Sequence, residues 1–122
     1  MPTTILFYED DLDIRQLVTE VLEEQGYTVI STDSLREGEA EMVCDKVDLF
    51  LAGSTEKTKE RALEVFHRVC GAAERNIPVV IFTAHRVVRE EAQEAGCADV
   101  LLKPFDIDEL LSRIEENLKQ PV

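Results

Sequence analysis

Short apolar runs alternate with amphipathic stretches five times along the chain. The runs fall at Thr4–Tyr8, Thr28–Thr32, Val47–Ala52, Val79–Thr83 and Ala98–Leu102. Those at 47–52 and 79–82 are nearly continuous in apolar residues, as parallel strands covered on both faces require. Helical periodicities lie between the runs. Ile14, Leu17, Val18, Val21 and Leu22 recur at i, i+3, i+4, i+7 and i+8 and form one apolar stripe, which Gly26 closes. Ala62, Val65, Phe66, Val69 and Ala73 keep the same helical periodicity, at i, i+3, i+4, i+7 and i+11, in a third helix. Ile107, Leu110, Leu111, Ile114 and Leu118 repeat it in a fifth, where Asp106 is a natural N-cap. Fainter patterns mark a second helix at 34–44 and a fourth at 86–95. The alternation predicts βα units, a parallel sheet and helices on both faces, in a single α/β domain of (βα)5 type spanning residues 1–122.

Composition narrows the functions such a domain can have. A chain of 122 residues can bury a core without staples. Its formal net charge of −13 argues against nucleic acid, whose phosphates need a basic face. The acidity is accounted for by a solvated exterior, and it would also suit a basic partner surface. Cys44, Cys70 and Cys97 are odd in number and contain no CxxC pair, so neither a disulfide framework nor a zinc site is indicated. The apolar run at 4–8 is too short and too quickly followed by acids for a signal peptide, and nothing longer suggests a membrane span. The expectation is a soluble, cytoplasmic protein.

Chemistry in an open α/β sheet collects at the carboxyl ends of the strands. Here those ends read Glu9-Asp10-Asp11, Gly53-Ser54-Thr55, Thr83-Ala84-His85 and Lys103-Pro104-Phe105. Clustered carboxylates repel unless a divalent cation or a lysine neutralises them. A hydroxyl and a lysine converging from neighbouring strands suit the oxygens of a phosphoryl group. The plainer account of the three acids is a helix N-terminal cap, favoured by the macrodipole. Their coincidence with a threonine and a lysine at successive strand ends favours the site.

The segments ILFYEDDLDIRQLVTEVLEEQGYTV, PVVIFTA and ADVLLKPFDIDEL together resemble a response-regulator receiver domain (CheY-like), the phosphoacceptor half of two-component signalling. The resemblance runs in order over essentially the whole chain. It implies a doubly wound, flavodoxin-like sheet with strand order 2-1-3-4-5. It also implies that Glu9 and Asp10 hold a magnesium ion, that Lys103 contacts the phosphoryl group, and that the Thr83 hydroxyl moves to it on activation. The position of the phosphoacceptor aspartate falls on Gly53.

Glycine has no carboxylate, so it can neither form an acyl phosphate nor complete a metal site. Asp48, at the other end of the same strand, lies about 16 Å away at 3.3 Å per residue. Two further departures accompany Gly53: STEKTKER replaces the family's usual Met-Pro loop, and Val100 stands where a switching tyrosine or phenylalanine is usual. The expectation is therefore a degenerate member lacking the phosphoacceptor. Lys103 would pair with Glu9 or Asp10, and magnesium binding at Glu9 and Asp10 would be weak or vestigial. The domain would then act as a phosphorylation-independent protein-interaction module. Its partner face would be the fourth helix, fifth strand and fifth helix, including Val87, Arg89, Val100 and Leu101. Neither nucleic acid nor membrane is expected as a partner, and no cofactor is required.

Two other readings remain open. One is phosphorylation at an unconventional residue, Ser54 or Asp10. The other is a small-ligand or anion-binding domain built on GSTEKTK, where Lys57 and Lys59 lie near a helix start, although the stretch lacks a P-loop's second glycine and GK[ST] ending. An enzyme is not expected: no serine–histidine–acid grouping is visible, His67 falls mid-helix, and His85 reads as a loop residue.

Overall fold

The computed structural model describes residues 3–34, 36–37, 47–54, 60, 64, 67–68, 77–83, 90–91, 94, 96, 98–102 and 106–119. Five strands, β1 (Thr4–Tyr8), β2 (Thr28–Thr32), β3 (Leu49–Ser54), β4 (Val79–Thr83) and β5 (Asp99–Leu102), form one parallel sheet in the order β2-β1-β3-β4-β5. The strand order and the (βα)5 layout agree with the expectation from sequence. Three strands begin and end where the apolar runs do. β3 is displaced by two residues, to 49–54 instead of 47–52. Gly53 and Ser54 are retained in the sheet because they pair with Phe82 and Thr83, although neither adds to the apolar run. β5 starts one residue late, at Asp99.

The N-terminal helix spans Leu12–Glu24 and the C-terminal helix Ile107–Lys119. Asp11 caps the first, accepting the Ile14 N–H at 3.1 Å, and Gly26 ends it with φ 92°, a conformation that favours glycine. Asp106 caps the second, accepting the Asp108 N–H at 3.1 Å. Both helices pack on one face of the sheet. Val18 and Leu22 from one and Leu110 and Ile114 from the other meet Ile5, Phe7, Leu49, Leu51, Val80, Phe82 and Leu101. Each fully buried aliphatic side chain contributes roughly 1.5–3 kcal/mol relative to exposure. Leu6, Phe50, Ala52, Val79 and Ile81 point to the opposite face and are also buried, so the centre of the sheet is covered on both sides.

Two apolar positions depart from expectation. Leu17, placed in the buried stripe, is 53% exposed, because the helix buries a narrow arc centred on Val18 and Leu22. Leu101, placed on a partner surface, is 2% exposed, because it pairs with Phe82 and points into the core. Its neighbour Leu102 is the exposed one. Residues 36–37, 60, 64, 67–68, 90–91 and 94 are helical, within the second, third and fourth expected helices. The stripe residues Ala62, Val65, Phe66, Val69 and Ala73, and Val87 and Arg89, lie outside the described residues.

Candidate functional site

The strand ends bring Glu9 and Gly53 together, because β1 and β3 are neighbours with Tyr8 opposite Ala52. Side chains alternate along a strand, so Glu9 continues the face occupied by Ile5 and Phe7, and Gly53 that of Leu49 and Leu51. Glu9 is fully buried. Its N–H donates to the Thr32 carbonyl at 3.0 Å, and its carbonyl accepts from Arg15 Nη1 at 2.8 Å. Its carboxylate Oε2 accepts the Asp11 N–H at 3.2 Å. Backbone and side chain are thus fixed from β2, from the N-terminal helix and from the connecting turn.

The other oxygen of Glu9 lies over Gly53. A Cβ built on Gly53 would overlap Glu9 Oε1 and would stand 2.5 and 2.7 Å from Cε2 and Cζ of Phe82. Gly53 does not share the positive φ of Gly26 and Gly96. It is therefore glycine for want of space, not for its backbone conformation. Phe82 is the residue directly opposite Gly53 on β4, and its ring packs on Phe7 with centroids 5.9 Å apart and a 43° tilt. Such aromatic pairs contribute about 0.5–1.5 kcal/mol beyond their buried area.

The three acids that follow β1 have separate fates. Glu9 turns inward, Asp10 is exposed, and Asp11 is the helix cap, so the cap account of this cluster holds for Asp11. Glu9 is buried beside Gly53 and Asp10 is exposed at the surface. Among the described residues no group of three or more histidine, cysteine or acidic side chains is placed to hold a metal ion. Thr83 is fully buried at the end of β4, opposite Ser54 on one side and Leu102 on the other. Alternation puts its side chain on the sheet face away from Phe82 and Gly53. Val100, half-buried, pairs with Ile81 on that same far face. Asp48 lies at the amino end of β3, where its Oδ2 accepts the Thr4 N–H at 2.8 Å, far from these residues as its sequence position implies. Lys103, Thr55, Lys57, Lys59 and His85 lie outside the described residues, as does the expected Lys103 ion pair.

Sequence reasoning did not single out Phe82 or Arg15. Phe82 could have been found by its register with Gly53, a large residue facing a small one. Arg15 carries no such signal, because it reaches Glu9 only through the turn of the helix. A groove of about 310 Å³ lined by Arg15, Gln16, Thr19, Glu20 and Ser31 lies between the N-terminal helix and β2. No described helix is long and apolar enough to cross a membrane.

The family model for the response regulator receiver domain matches residues 5–115. The chain belongs to this family. The receiver is 31% identical over 117 residues to the transcriptional regulatory protein CrdR of Helicobacter pylori, covering 94% of this chain and 54% of that protein. It is 28% identical over 121 residues to the transcriptional regulatory protein GlrR of Escherichia coli, covering 98% of this chain and 27% of that protein. The receiver thus spans between a quarter and just over half the length of these relatives. Among solved structures, HP1043, an orphan response regulator of H. pylori, superposes with a TM-score of 0.78 at 25% identity, covering 96% of this chain and 97% of that one. The BeF3-activated receiver domain of Klebsiella pneumoniae RstA superposes at 0.80 with 23% identity, covering 97% and 100%, a likeness of fold.

Proposed function

We propose that this receiver is a degenerate one, a protein-interaction module in two-component-type signalling whose state does not depend on phosphorylation. Gly53 stands at the position of the phosphoacceptor aspartate, and a glycine has no oxygen to phosphorylate. The observation that carries the reading is the space around Gly53. The Cβ position is already taken by the Glu9 carboxylate and the Phe82 ring, so the site is built around the absence of a side chain. This supports an adaptation of the whole strand end, of which Gly53 is one part.

The module is not an enzyme and works in the cytoplasm, through a protein partner bound at the fourth helix, fifth strand and fifth helix. The buried Leu101 is not part of that surface; Leu102, 41% exposed at the end of β5, takes its place. The test is incubation with acetyl phosphate and magnesium, followed by intact-mass measurement. The expected result is no mass gain. A single phosphoryl gain abolished by Asp10→Asn or Ser54→Ala would establish the unconventional phosphoacceptor instead.

A further inference from the structure

β2 and β5 are the two edges of the sheet, and they are guarded unequally. An edge strand invites pairing with another chain unless it is very short, charged, bulged or interrupted by proline. β5 has four residues and opens on Asp99. β2 has five, Thr28-Val29-Ile30-Ser31-Thr32, with neither charge nor proline, and it pairs with β1 residue by residue without a bulge. Its orientation is fixed at both ends: the Thr28 N–H donates to the Thr3 carbonyl at 2.8 Å, and the Thr32 carbonyl accepts the Glu9 N–H at 3.0 Å. Alternate residues of a parallel strand bond the same neighbour. Thr28, Ile30 and Thr32 therefore face β1, and the N–H and carbonyl of Val29 and Ser31 point outward from the sheet.

We propose that this edge pairs with β2 of a second copy of the chain, antiparallel across a twofold axis at Ile30, so that two five-stranded sheets become one. The strand is self-complementary about that residue. Val29 of each copy comes opposite Ser31 of the other, and each such pair exchanges two hydrogen bonds. Thr28 meets Thr32 and Ile30 meets Ile30, pairings that favour a sheet, and no like charges come opposite one another along the strand. The groove beside the edge adds charge complementarity. Val29 packs on the core cluster and Ser31 lines the groove, so both lie on the sheet face that carries the N-terminal helix. Arg15 and Glu20 of that helix line the same groove. Arg15 reaches toward the strand ends, where its Nη1 donates to the Glu9 carbonyl at 2.8 Å. Glu20, five residues further along the helix, lies about 7.5 Å nearer the strand starts. The axis at Ile30 reverses that order in the second copy, so Arg15 of each faces Glu20 of the other. Such an isologous contact closes at two copies. The net charge of −13 on each copy opposes association, which makes the pairing weak and reversible. The proposal is independent of the reading of Gly53.

Sedimentation equilibrium and amide-resolved hydrogen exchange of the wild-type chain test this together. A monomer–dimer equilibrium is expected by millimolar concentration. Exchange protection of the Val29 and Ser31 amides should rise with concentration, and that of Ile30, already bonded to β1, far less. Ser31→Pro removes one outward donor per copy without touching the β1 ladder, and the two lost bonds should weaken dimerisation at least about tenfold. Glu20→Arg lowers the net negative charge, so general repulsion alone would tighten the dimer. The facing helices predict the reverse, a weakening of about threefold or more. A chain that stays monomeric at millimolar concentration would overturn the proposal and leave the edge to an extended segment of a different protein. A dimer whose Val29 and Ser31 amides stay unprotected would put the contact on another face, and protection independent of concentration would assign the edge to a segment of the same chain; either result refutes the pairing, as does tighter association of Glu20→Arg. The exchange measurement needs no variant, so it decides even if Ser31→Pro fails to fold.

Discussion

Asp99, the first residue of β5, gathers donors from three directions. Arg113 Nη1 reaches both of its oxygens, at 2.8 and 3.1 Å, the Val100 N–H donates at 2.9 Å, and Asn117 Nδ2 donates at 3.3 Å. Asn117 is 7% exposed and also donates to the Arg113 carbonyl at 2.7 Å. The Arg113 side chain is 38% exposed, and beside Asp99 its pKa is raised, first through their hydrogen bond and then through charge. The partners should therefore differ in worth. Replacing Asp99 with alanine leaves Asn117 one bond short in a buried setting, at a cost of about 2–3 kcal/mol. Replacing Arg113 with methionine keeps the stem and removes a guanidinium already in contact with water, at a cost of about 0.5–1 kcal/mol. Urea unfolding of both variants, with the dependence on denaturant unchanged, should show Asp99→Ala the less stable by about 1–2 kcal/mol. About 1 M salt should shrink the Arg113→Met effect and leave most of the Asp99→Ala effect, because screening acts mainly on the exposed pair. An Arg113→Met cost equal to or above that of Asp99→Ala would refute the assignment of the network's strength to its buried amide.

Further outcomes follow from the ends of the N-terminal helix and from Tyr27. Asp11→Ala should cost about 0.5–2 kcal/mol through loss of the cap. Gly26→Ala should cost about 1 kcal/mol from backbone strain alone, since nothing lies within 4 Å of an added Cβ, and Gly26→Asn should cost less; thermal unfolding measures all three. The pKa of Tyr27 is raised, first by burial and then by Glu115, against a smaller lowering by Lys119. The unfolded chain then loses this proton first as pH rises past the ordinary value of 10.0, so stability present below that pH is lost up to the folded-state value. Urea unfolding from pH 9 upward should show a steeper decline for the wild type than for Tyr27→Phe.

The fold was legible where pattern and backbone agree. β1, β2 and β4 end where their apolar runs end, and the caps at Asp106 and Gly26 are chemical signals any reading can find. β3 runs past its apolar stretch because its last two residues pair with β4, an interaction with no trace in the apolar pattern. β5 has four residues, too few for alternation to reveal that Leu101 faces inward and Leu102 outward. The five-residue stripe of the N-terminal helix is wider than the arc that the helix buries, which centres on Val18 and Leu22 and leaves Leu17 exposed. At the site, sequence marked Gly53 as something missing. The place of Glu9 beside it depends on adjacency between residues 44 positions apart, which only the sheet order supplies.

That order carries a consequence of its own. From β1 the chain steps outward to β2, then crosses back over to β3 on the other side, so the winding direction reverses between β1 and β3. Connections diverging from a reversal leave a crevice above it whatever residues line it. Substitution cannot abolish such a hollow, because the path of the backbone makes it. Any chain wound in this order carries such a hollow at the same place, and the first residue beyond β1 is delivered to its edge by the backbone alone.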